Sequence, residues 1–415
     1  MSGISHHMSE FRQGTGVLIA CFVGMMFGVA AIPFYTLGIF AGPVTQDTGW
    51  TMQQFQSAFT FIILGTLCGP VIGHYCDRFG ARWVAIPSII AFAASLALIG
   101  LIGQSNLYAF YAAWALMAIV GQGTSPVIWT HVIGHQFRQH RGLAFGIVLA
   151  GSGVFAAFGP ALASFAIDRW GWQGGYIFFG LIVLLVPLPL ALVFLKPVLA
   201  AAQAPQSPAD AAAISAVSGK TLGQALRDYR FYVIAASFFT IAFGVAGLIS
   251  NMLPMLSISG ISVQDGTKLI GLIGIAVIGG RIIMGALLDR FWAPMVATIA
   301  LILPASACLL LIGEVSHGEA AVAILLVGFA AGAEFDIVAF MASKYFGLSA
   351  YGKIYGALYI TLFIGAAFAP PIFGSVFDRD GSYEFLLQLF CVLFPIAALV
   401  LLTLGRYPEF ESNKP

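Results

Sequence analysis

The sequence predicts an all-α polytopic membrane protein with twelve transmembrane helices in two pseudo-symmetric bundles of six. Composition is the first reason, because 60% of the 415 residues are hydrophobic and 8% are charged, whereas a soluble domain carries about 25% charged residues. The second reason is a series of twelve apolar runs of membrane-spanning length. The third reason is a single long hydrophilic interruption near 200–230, which divides the runs six and six.

The apolar runs define the predicted spans and the domains. They lie near 16–42, 54–75, 83–104, 107–134, 143–166, 174–195, 229–256, 267–288, 293–313, 319–343, 353–376 and 383–404. We predict an N-terminal bundle at 16–196 and a C-terminal bundle at 229–405. Between them, 197–228 is predicted to be a cytoplasmic linker, rich in Ala, Pro and Ser in its first part. Residues 1–15 and 406–415 are predicted to be cytoplasmic tails.

Positive charge is distributed unequally between the two sets of polar breaks. If both termini lie on one side, fourteen Lys and Arg residues lie on that side, against only Arg169, Lys268 and Arg379 on the other. The remaining cation, Arg281, lies inside a predicted helix. Because cytoplasmic loops are enriched in Lys and Arg, this distribution places both termini in the cytoplasm.

A polar motif occurs four times, each time at the end of the second helix of a three-helix unit. The copies "GHYCDRF" and "GALLDRF" hold Gly73, Asp77, Arg78 and Gly285, Asp289, Arg290 at the same spacing. The other two copies contain Asp168 and Asp378. The four Asp residues are separated by 91, 121 and 89 residues, and the longest gap contains the linker. This arrangement is typical of the nested inverted repeats of secondary transporters.

The Asp-Arg pair at a helix end has two interpretations. An Asp flanked by Arg and Gly can hydrogen-bond to a neighbouring helix end, while the Gly permits close backbone approach. In this interpretation Asp77 and Asp289 take part in a conformational change. The alternative is that the pairs only fix the topology, which is the favoured interpretation for Asp168 and Asp378.

Several function classes are disfavoured by the sequence. None of the five cysteines belongs to a Cys-x-x-Cys pair, so neither a zinc site nor a disulfide framework is indicated. The sequence has no basic patch of the kind that nucleic acid requires and no Gly-rich nucleotide-binding loop. We therefore expect no metal, no cofactor, no nucleic-acid partner, no ATP-driven step and no enzymatic activity.

The motif around residue 77 resembles the loop 2–3 signature of the major facilitator superfamily. The matching residues are Gly73, Asp77, Arg78, Gly80 and Arg82. The segment "GSGVFAAFGP" resembles the Gly-rich helix 5 element of the same family. The resemblance covers nearly the whole chain. It implies two six-helix bundles around a central cavity that rock to open it alternately to each side, with helices 1, 4, 7 and 10 lining the cavity.

Within the superfamily, the chain resembles bacterial carriers of monocarboxylates and of oxalate and formate. Arg281 lies in "GGRIIMGALLDRF", and an arginine near this position of helix 8 binds the anion in that group. Helix 10 carries acids in "GAEFDIVAFMASKYFG". The chain departs from monocarboxylate carriers at Val277, where they usually have an Asp. The resemblance implies an organic-anion substrate and a location in the bacterial inner (plasma) membrane.

Arg281 is the candidate anion-binding residue. It lies eight residues before Asp289, so it is about 12 Å along the helix from the cytoplasmic end. An arginine at this depth costs on the order of 2.5–3.5 kcal/mol on insertion scales, so it should face a wet cavity or a partner. A guanidinium there suits two-pronged binding of a carboxylate. The alternative is a purely structural ion pair.

Glu334 and Asp336 are the candidate counter-ions or proton carriers. They lie ten and eight residues before Lys344, at depths of about 15 and 12 Å. Two residues apart on a helix, they point to nearly opposite sides, so at most one should face the cavity squarely. His131, on helix 4, is a further candidate for proton coupling. The alternative for all three is a hydrogen bond to a neighbouring helix.

Tyr35 and Asn251 are candidate hydrogen-bond partners of the substrate. They occupy matching places in helix 1 and helix 7, close to Pro33 and Pro254. The prolines are expected to loosen helices that must bend during a rocking motion. Inter-helix packing is the alternative role for Tyr35 and Asn251.

Taken together, the sequence favours a secondary active transporter that moves a small organic anion, above all a monocarboxylate, and that can be coupled to protons. Its expected partners are the anion, protons and the lipid bilayer, and we expect a monomer. One alternative is the same fold moving a neutral or cationic solute, with Arg281 only structural. Another is a membrane sensor that transports nothing.

Overall fold

The structure is a computed structural model that describes residues 2–103, 106–137, 141–195, 219–347 and 349–408. Apart from an isolated β-bridge between Gly219 and Gly347, these residues form helices, turns and loops, which confirms the predicted fold class. The chain divides into two compact units, Met1–Ala202 and Gln203–Pro415, called here the N unit and the C unit. Most of the predicted linker lies outside the described residues, and the predicted domain boundaries stay predictions.

The N unit contains ten helices in its described ranges. They are α1 (Ser2–Met26), α2 (Ile32–Thr48), α3 (Met52–Thr60), α4 (Ile62–Leu67), α5 (Gly69–Phe79), α6 (Ala81–Ile102), α7 (Leu107–Val120), α8 (Pro126–Gln136), α9 (Arg141–Leu185) and α10 (Pro187–Phe194). A short 3₁₀ turn, Gly121–Thr124, connects α7 to α8. Helix α1 begins well before the predicted start at 16, because hydropathy marks the apolar part of a helix and not its polar end.

The C unit contains eight helices in its described ranges. They are α11 (Leu222–Ala225), α12 (Tyr229–Ile258), α13 (Val263–Ile270), α14 (Leu272–Leu288), α15 (Ala293–Leu310), α16 (His317–Phe346), α17 (Tyr351–Asp380) and α18 (Glu384–Val400), the last followed by the 3₁₀ turn Leu401–Leu404.

Seven of the twelve predicted spans are continuous helices in the described chain, and five are interrupted. Eight segments of the described chain are long and apolar enough to cross a membrane. One of them, Leu143–Phe194, holds two predicted spans joined at a kink at Gly171, so nine of the twelve predicted spans are accounted for. Spans 1, 2, 4, 6 and 8 are divided into shorter helices. Span 1 breaks just before Pro33, near the start of α2, whereas α12 continues through Pro254.

Three of the four Asp-Arg motifs end at a glycine with a left-handed backbone. Gly80, Gly171 and Gly381 each lie three residues after the motif Asp, and their φ angles are 87°, 69° and 65°. Residues with a Cβ rarely adopt this conformation, so the glycine turns the chain out of one helix into the next. The fourth copy has Trp292 at this place, and α14 ends at Leu288.

The end of the linker is held by a cluster of charges around Asp228. This carboxylate accepts hydrogen bonds from Lys220 Nζ and from the backbone N–H of Arg230 at the start of α12. Burial alone would raise the pKa of Asp228, but these hydrogen bonds and the two positive charges outweigh it and hold the pKa below its usual range. The ion pairs fix the short helix α11 at the beginning of the C unit.

Candidate functional site

Arg281 is positioned by the close packing of α14 against α16. A Cβ added at Gly280 would lie 2.4 Å from the carbonyl oxygen of Phe329. A Cβ added at Gly332 would lie 2.2 Å from the carbonyl oxygen of Val277. Only glycine fits where a Cβ would lie so close to a carbonyl oxygen of the facing helix. Small residues of this kind allow membrane helices to approach each other closely. The contact fixes α14, and with it Arg281, against α16.

Glu334 and Asp336 follow this contact on α16. The Glu334 side chain is buried, with a relative exposure of 6%, and Asp336 is half-buried. Both carboxylates interact electrostatically with the guanidinium of Arg281. Glu334 and Asp336 therefore lie within electrostatic range of Arg281, and we call these three residues the charge cluster.

The charge cluster contains polar atoms without partners. No nitrogen of Arg281 forms an ion pair within 4.0 Å of an acidic oxygen in the described part of the chain. Arg281 Nε and Glu334 Oε2 are both buried and lack a hydrogen-bond partner among the described residues. A buried polar atom without a partner costs about 1–3 kcal/mol, and a charged one costs more. Such atoms indicate a place for a proton, a water molecule or a polar ligand.

Val277 occupies the position at which monocarboxylate carriers usually have an Asp. Its relative exposure is 2%, and its backbone carbonyl contacts Gly332. A carboxylate here would be buried within the α14–α16 contact and would need a partner there. In this chain the acids near Arg281 come from α16 instead.

Two tyrosines of α17 belong near the charge cluster, and sequence reasoning missed them. Tyr355 and Tyr359 both interact electrostatically with Arg281, and Tyr355 also interacts with Asp336. Neither hydroxyl has a hydrogen-bond partner among the described residues. A signal was present in the sequence, because aromatic residues recur at every fourth position of this helix, from Tyr351 to Phe363.

The structure places His131 and Tyr35 in the N unit. His131 is half-buried on α8, and its Nδ1 lies 3.4 Å from Sγ of Cys76 on α5. Tyr35 is half-buried on α2, and its ring lies 5.0 Å from the ring of Phe34. The roles of His131 in proton coupling and of Tyr35 in substrate binding stay predictions.

Asn251 lies in the interior of the C unit. Its side chain is fully buried, and its Nδ2 donates to the carbonyl of Gly247 at 3.0 Å and to Ser250 Oγ at 3.1 Å. Tyr383, just before α18, donates its hydroxyl proton to Asn251 Oδ1 at 2.9 Å. The amide thus links α12 to the start of α18, and its contact with a substrate stays a prediction.

Arg82 of the signature motif contacts the end of another helix. Its guanidinium donates to the carbonyl oxygen of Leu192 at 2.9 Å and also to that of Leu195. These carbonyls lie at the C-terminal end of α10, where backbone acceptors lack partners and positive charge is favourable. Arg78 lies over the ring of Phe79, 5.4 Å from its centroid. The side chain of Asp77 lies outside the described side chains.

Other motif residues do not pack against a neighbouring helix within their own unit. A Cβ added at Gly73 or Gly285 would meet no heavy atom within 4 Å, so within each unit neither glycine serves close helix packing. Asp289 and Arg290 are exposed and form no ion pair with any described side chain. Within the units, the described contacts of the motif are therefore those of Arg82 with α10 and of Arg78 with Phe79, together with the turn at Gly80.

Solved structures show the fold of the whole chain. A bacterial homologue of the human lysosomal transporter Spinster, in an inward-facing and unoccupied conformation, matches with a TM-score of 0.65. The match covers 95% of this chain and 94% of that chain at 15% sequence identity. At this identity the likeness shows the fold alone.

Several curated relatives are similar in sequence. The gallate transporter of Pseudomonas putida is 26% identical, over 82% of this chain and 84% of its own. The oxalate:formate antiporter of Oxalobacter formigenes is 26% identical, over 57% of this chain and 53% of its own. Monocarboxylate transporter 3 of Mus musculus is 28% identical, over 40% of this chain and 33% of its own. The aligned region thus spans about half of the antiporter and a third of the mouse transporter.

The Major Facilitator Superfamily matches residues 16–370, which is most of the chain. Together with the apolar helices, this match shows an integral multi-pass membrane protein. The family and the relatives point to a transporter rather than an enzyme. This chain belongs to the major facilitator superfamily.

Proposed function

We propose that the protein is a secondary active transporter that moves a small organic anion, with a monocarboxylate as the favoured class, by alternating access. The observation that carries this proposal is Arg281, a guanidinium inside an apolar bundle whose Nε is buried without a partner. A carboxylate would supply the acceptors that the described residues do not supply. The planar guanidinium suits this role because it offers two parallel donors.

The repeat supports a functional role for Arg281. Its counterpart in the N-terminal half is Gly69, at the same distance from the motif Asp. A Cβ added at Gly69 would meet no heavy atom within 4 Å in the described structure, so the fold does not need a large side chain there. Packing of the fold therefore does not explain why an arginine, which is costly at this depth, occupies the position, and a functional role does.

The relatives support the substrate class. Their names specify gallate, oxalate with formate, and monocarboxylates, and all of these substrates are carboxylates. The test is uptake of labelled formate, oxalate, pyruvate and benzoate into proteoliposomes that contain the full chain, with and without a pH gradient. Arg281→Ala is the control. Uptake of at least one carboxylate that disappears in Arg281→Ala is the expected result, and uptake independent of Arg281 would contradict the proposal.

The second candidate is a transporter of a neutral or cationic solute in which Arg281 is only structural. The proximity of Glu334 and Asp336 to Arg281 favours it, because two acids can neutralise one buried cation without a ligand. Transport of uncharged or cationic solutes that persists after neutralisation of Arg281 is the result that would select this candidate.

We propose that a carboxyl group of α16 couples transport to protons, with Glu334 favoured. Glu334 is more deeply buried than Asp336 and has a carboxylate oxygen without a partner. A proton carrier must bind its proton on the acidic side, so uptake should increase as the external pH falls. Glu334→Gln should flatten this pH profile of initial uptake rates, and Asp336→Asn should change it less. The same profile in both variants and in wild type would remove Glu334 from the coupling step.

We propose that the paired motifs at the ends of α5 and α14 control the conformational change. They comprise Gly73, Asp77, Arg78, Gly80 and Arg82 with Gly285, Asp289 and Arg290. The support is that Arg82 binds the end of α10 while Asp289 and Arg290 make no ion pair among the described residues, which leaves them available to contacts formed in another state. Asp77→Asn should insert normally and slow substrate turnover several-fold in proteoliposomes. An unchanged turnover rate would reduce the motif to a topology signal.

We propose that both termini and the linker lie in the cytoplasm of a bacterial inner membrane, on the basis of the charge distribution. Asp210 lies in the linker, outside the described residues. In a variant whose five native cysteines are replaced, Asp210→Cys should react with a membrane-impermeant maleimide in permeabilised cells and not in intact cells. Labelling of intact cells would reverse the proposed topology.

A further inference from the structure

A continuous stripe of aromatic rings runs along α17 beside the charge cluster. Tyr351, Tyr355, Tyr359 and Phe363 follow one another at every fourth residue. Their rings contact in series, with centroid distances of 5.6, 5.7 and 4.5 Å. Phe335 of α16 completes the stripe, 5.8 Å from the ring of Tyr359 and 6.0 Å from that of Phe363.

The position of Phe335 ties the stripe to the charged groups. It lies between Glu334 and Asp336 in the sequence, so the residue that packs on the tyrosines is flanked by the two acids. Arg281 acts electrostatically on both Tyr355 and Tyr359. One anion-binding group and one aromatic surface therefore occur side by side within the C unit.

The stripe does not resemble a lipid-facing surface of the same helix. Ile360 and Phe368 of α17 are 39% and 42% exposed, whereas the stripe residues are half-buried. Two of them, Tyr355 and Tyr359, carry hydroxyls without a hydrogen-bond partner among the described residues. These two hydroxyls are not enclosed within the C unit, so they can donate a hydrogen bond to water or to a ligand.

We propose that the transported anion carries its carboxylate on a flat, unsaturated ring, which packs against the aromatic stripe while the carboxylate binds Arg281. The inference deepens the proposed function and rests on it. Aromatic rings prefer offset or edge-to-face contacts with other rings, and such contacts add to the area that is buried. The free hydroxyls of Tyr355 and Tyr359 supply further donors for the anion next to the guanidinium.

The test compares two ligands that match in charge, ring size and carbon count but differ in flatness. Binding of benzoate and of cyclohexanecarboxylate to the purified full chain in nanodiscs is measured by calorimetry. Wild type should bind benzoate about three- to tenfold more tightly, as aromatic contacts of this kind imply. Tyr359→Leu and Phe335→Leu should bring the ratio of the two affinities close to one, and Tyr359→Phe should retain it. Phe368→Leu is the matched control, because this exposed ring on α17 is outside the stripe.

The outcomes separate the inference from the proposed function. Equal affinities in wild type that both fall in Arg281→Ala would overturn the ring preference and leave the anion transporter standing. Binding of acetate or oxalate alone, again lost in Arg281→Ala, would do the same. Binding of benzoate that is unaffected by Arg281→Ala would overturn the proposed function itself. The wild-type comparison needs no substitution, so an unfolded variant cannot leave the question open.

Discussion

Arg281→Ala is expected to remove measurable binding of the proposed carboxylate substrate, and Arg281→Lys is expected to bind it weakly. Truncating one partner of a buried, hydrogen-bonded charge pair costs about 2–5 kcal/mol, and because about 1.4 kcal/mol is a factor of ten in affinity, the affinity should fall about thirtyfold or more. Lysine keeps the charge and loses the planar two-pronged donor set. Affinity measured by calorimetry on purified protein gives both values.

The control for Arg281 is another cation of the C unit. Lys353 is exposed at the start of α17, so Lys353→Ala should change neither affinity nor stability by more than a few tenths of a kcal/mol. Arg281→Ala should still purify as folded protein, since α14 is packed against α16 by glycines and not by the arginine. An Arg281→Lys variant with wild-type affinity would contradict two-pronged binding.

Gly280→Ala is expected to destabilise the C unit by about 1–3 kcal/mol, the usual cost of overpacking. The added Cβ would lie 2.4 Å from a backbone carbonyl of α16, which cannot swing away as the end of a side chain can. Gly332→Ala should behave in the same way, because its Cβ would meet the carbonyl of Val277 at 2.2 Å. Both should also weaken anion binding, since α14 must shift and Arg281 lies on it.

The adjacent glycine provides a matched control for this prediction. A Cβ added at Gly279 meets no heavy atom within 4 Å in the described structure. Gly279→Ala should therefore be neutral or stabilising by up to about 1 kcal/mol, because alanine favours helix more than glycine does. Thermal unfolding followed by tryptophan fluorescence compares the variants. The same melting temperature in Gly279→Ala and Gly280→Ala would show that α14 and α16 are not in backbone contact.

The helices and their order could be predicted because they depend on local sequence. A run of about 20 apolar residues can satisfy its backbone in a membrane only as a helix, and the positions of Asp77 and Asp289 show the repeat directly. The interruptions of spans 1, 2, 4, 6 and 8 could not be predicted in this way. Hydropathy does not read the signal that several breaks had, which is a proline at the start of α2, α5, α8 and α10.

The depth of the candidate residues along their helices could be predicted from the sequence, but the directions in which their side chains point could not. Counting from a helix end placed Arg281 and Glu334 at similar depth, and that estimate needs only the rise per residue. Whether they meet depends on the crossing of α14 and α16, which the glycine contacts set. The partner of Asn251 is Tyr383, 132 residues away, and no spacing rule indicates such a pair.

The role of Arg281 as the anion-binding residue is tested most directly by a double-mutant cycle with Glu334. Wild type, Arg281→Ala, Glu334→Ala and the double variant are each measured for thermal stability and for carboxylate affinity. If Arg281 binds the anion, both variants without Arg281 lose binding, including the double variant, whatever happens to their stability. If Arg281 and Glu334 are only a structural pair, each single variant is destabilised by a buried unpaired charge. Recovery of stability, binding and transport in the double variant would contradict the anion-binding role.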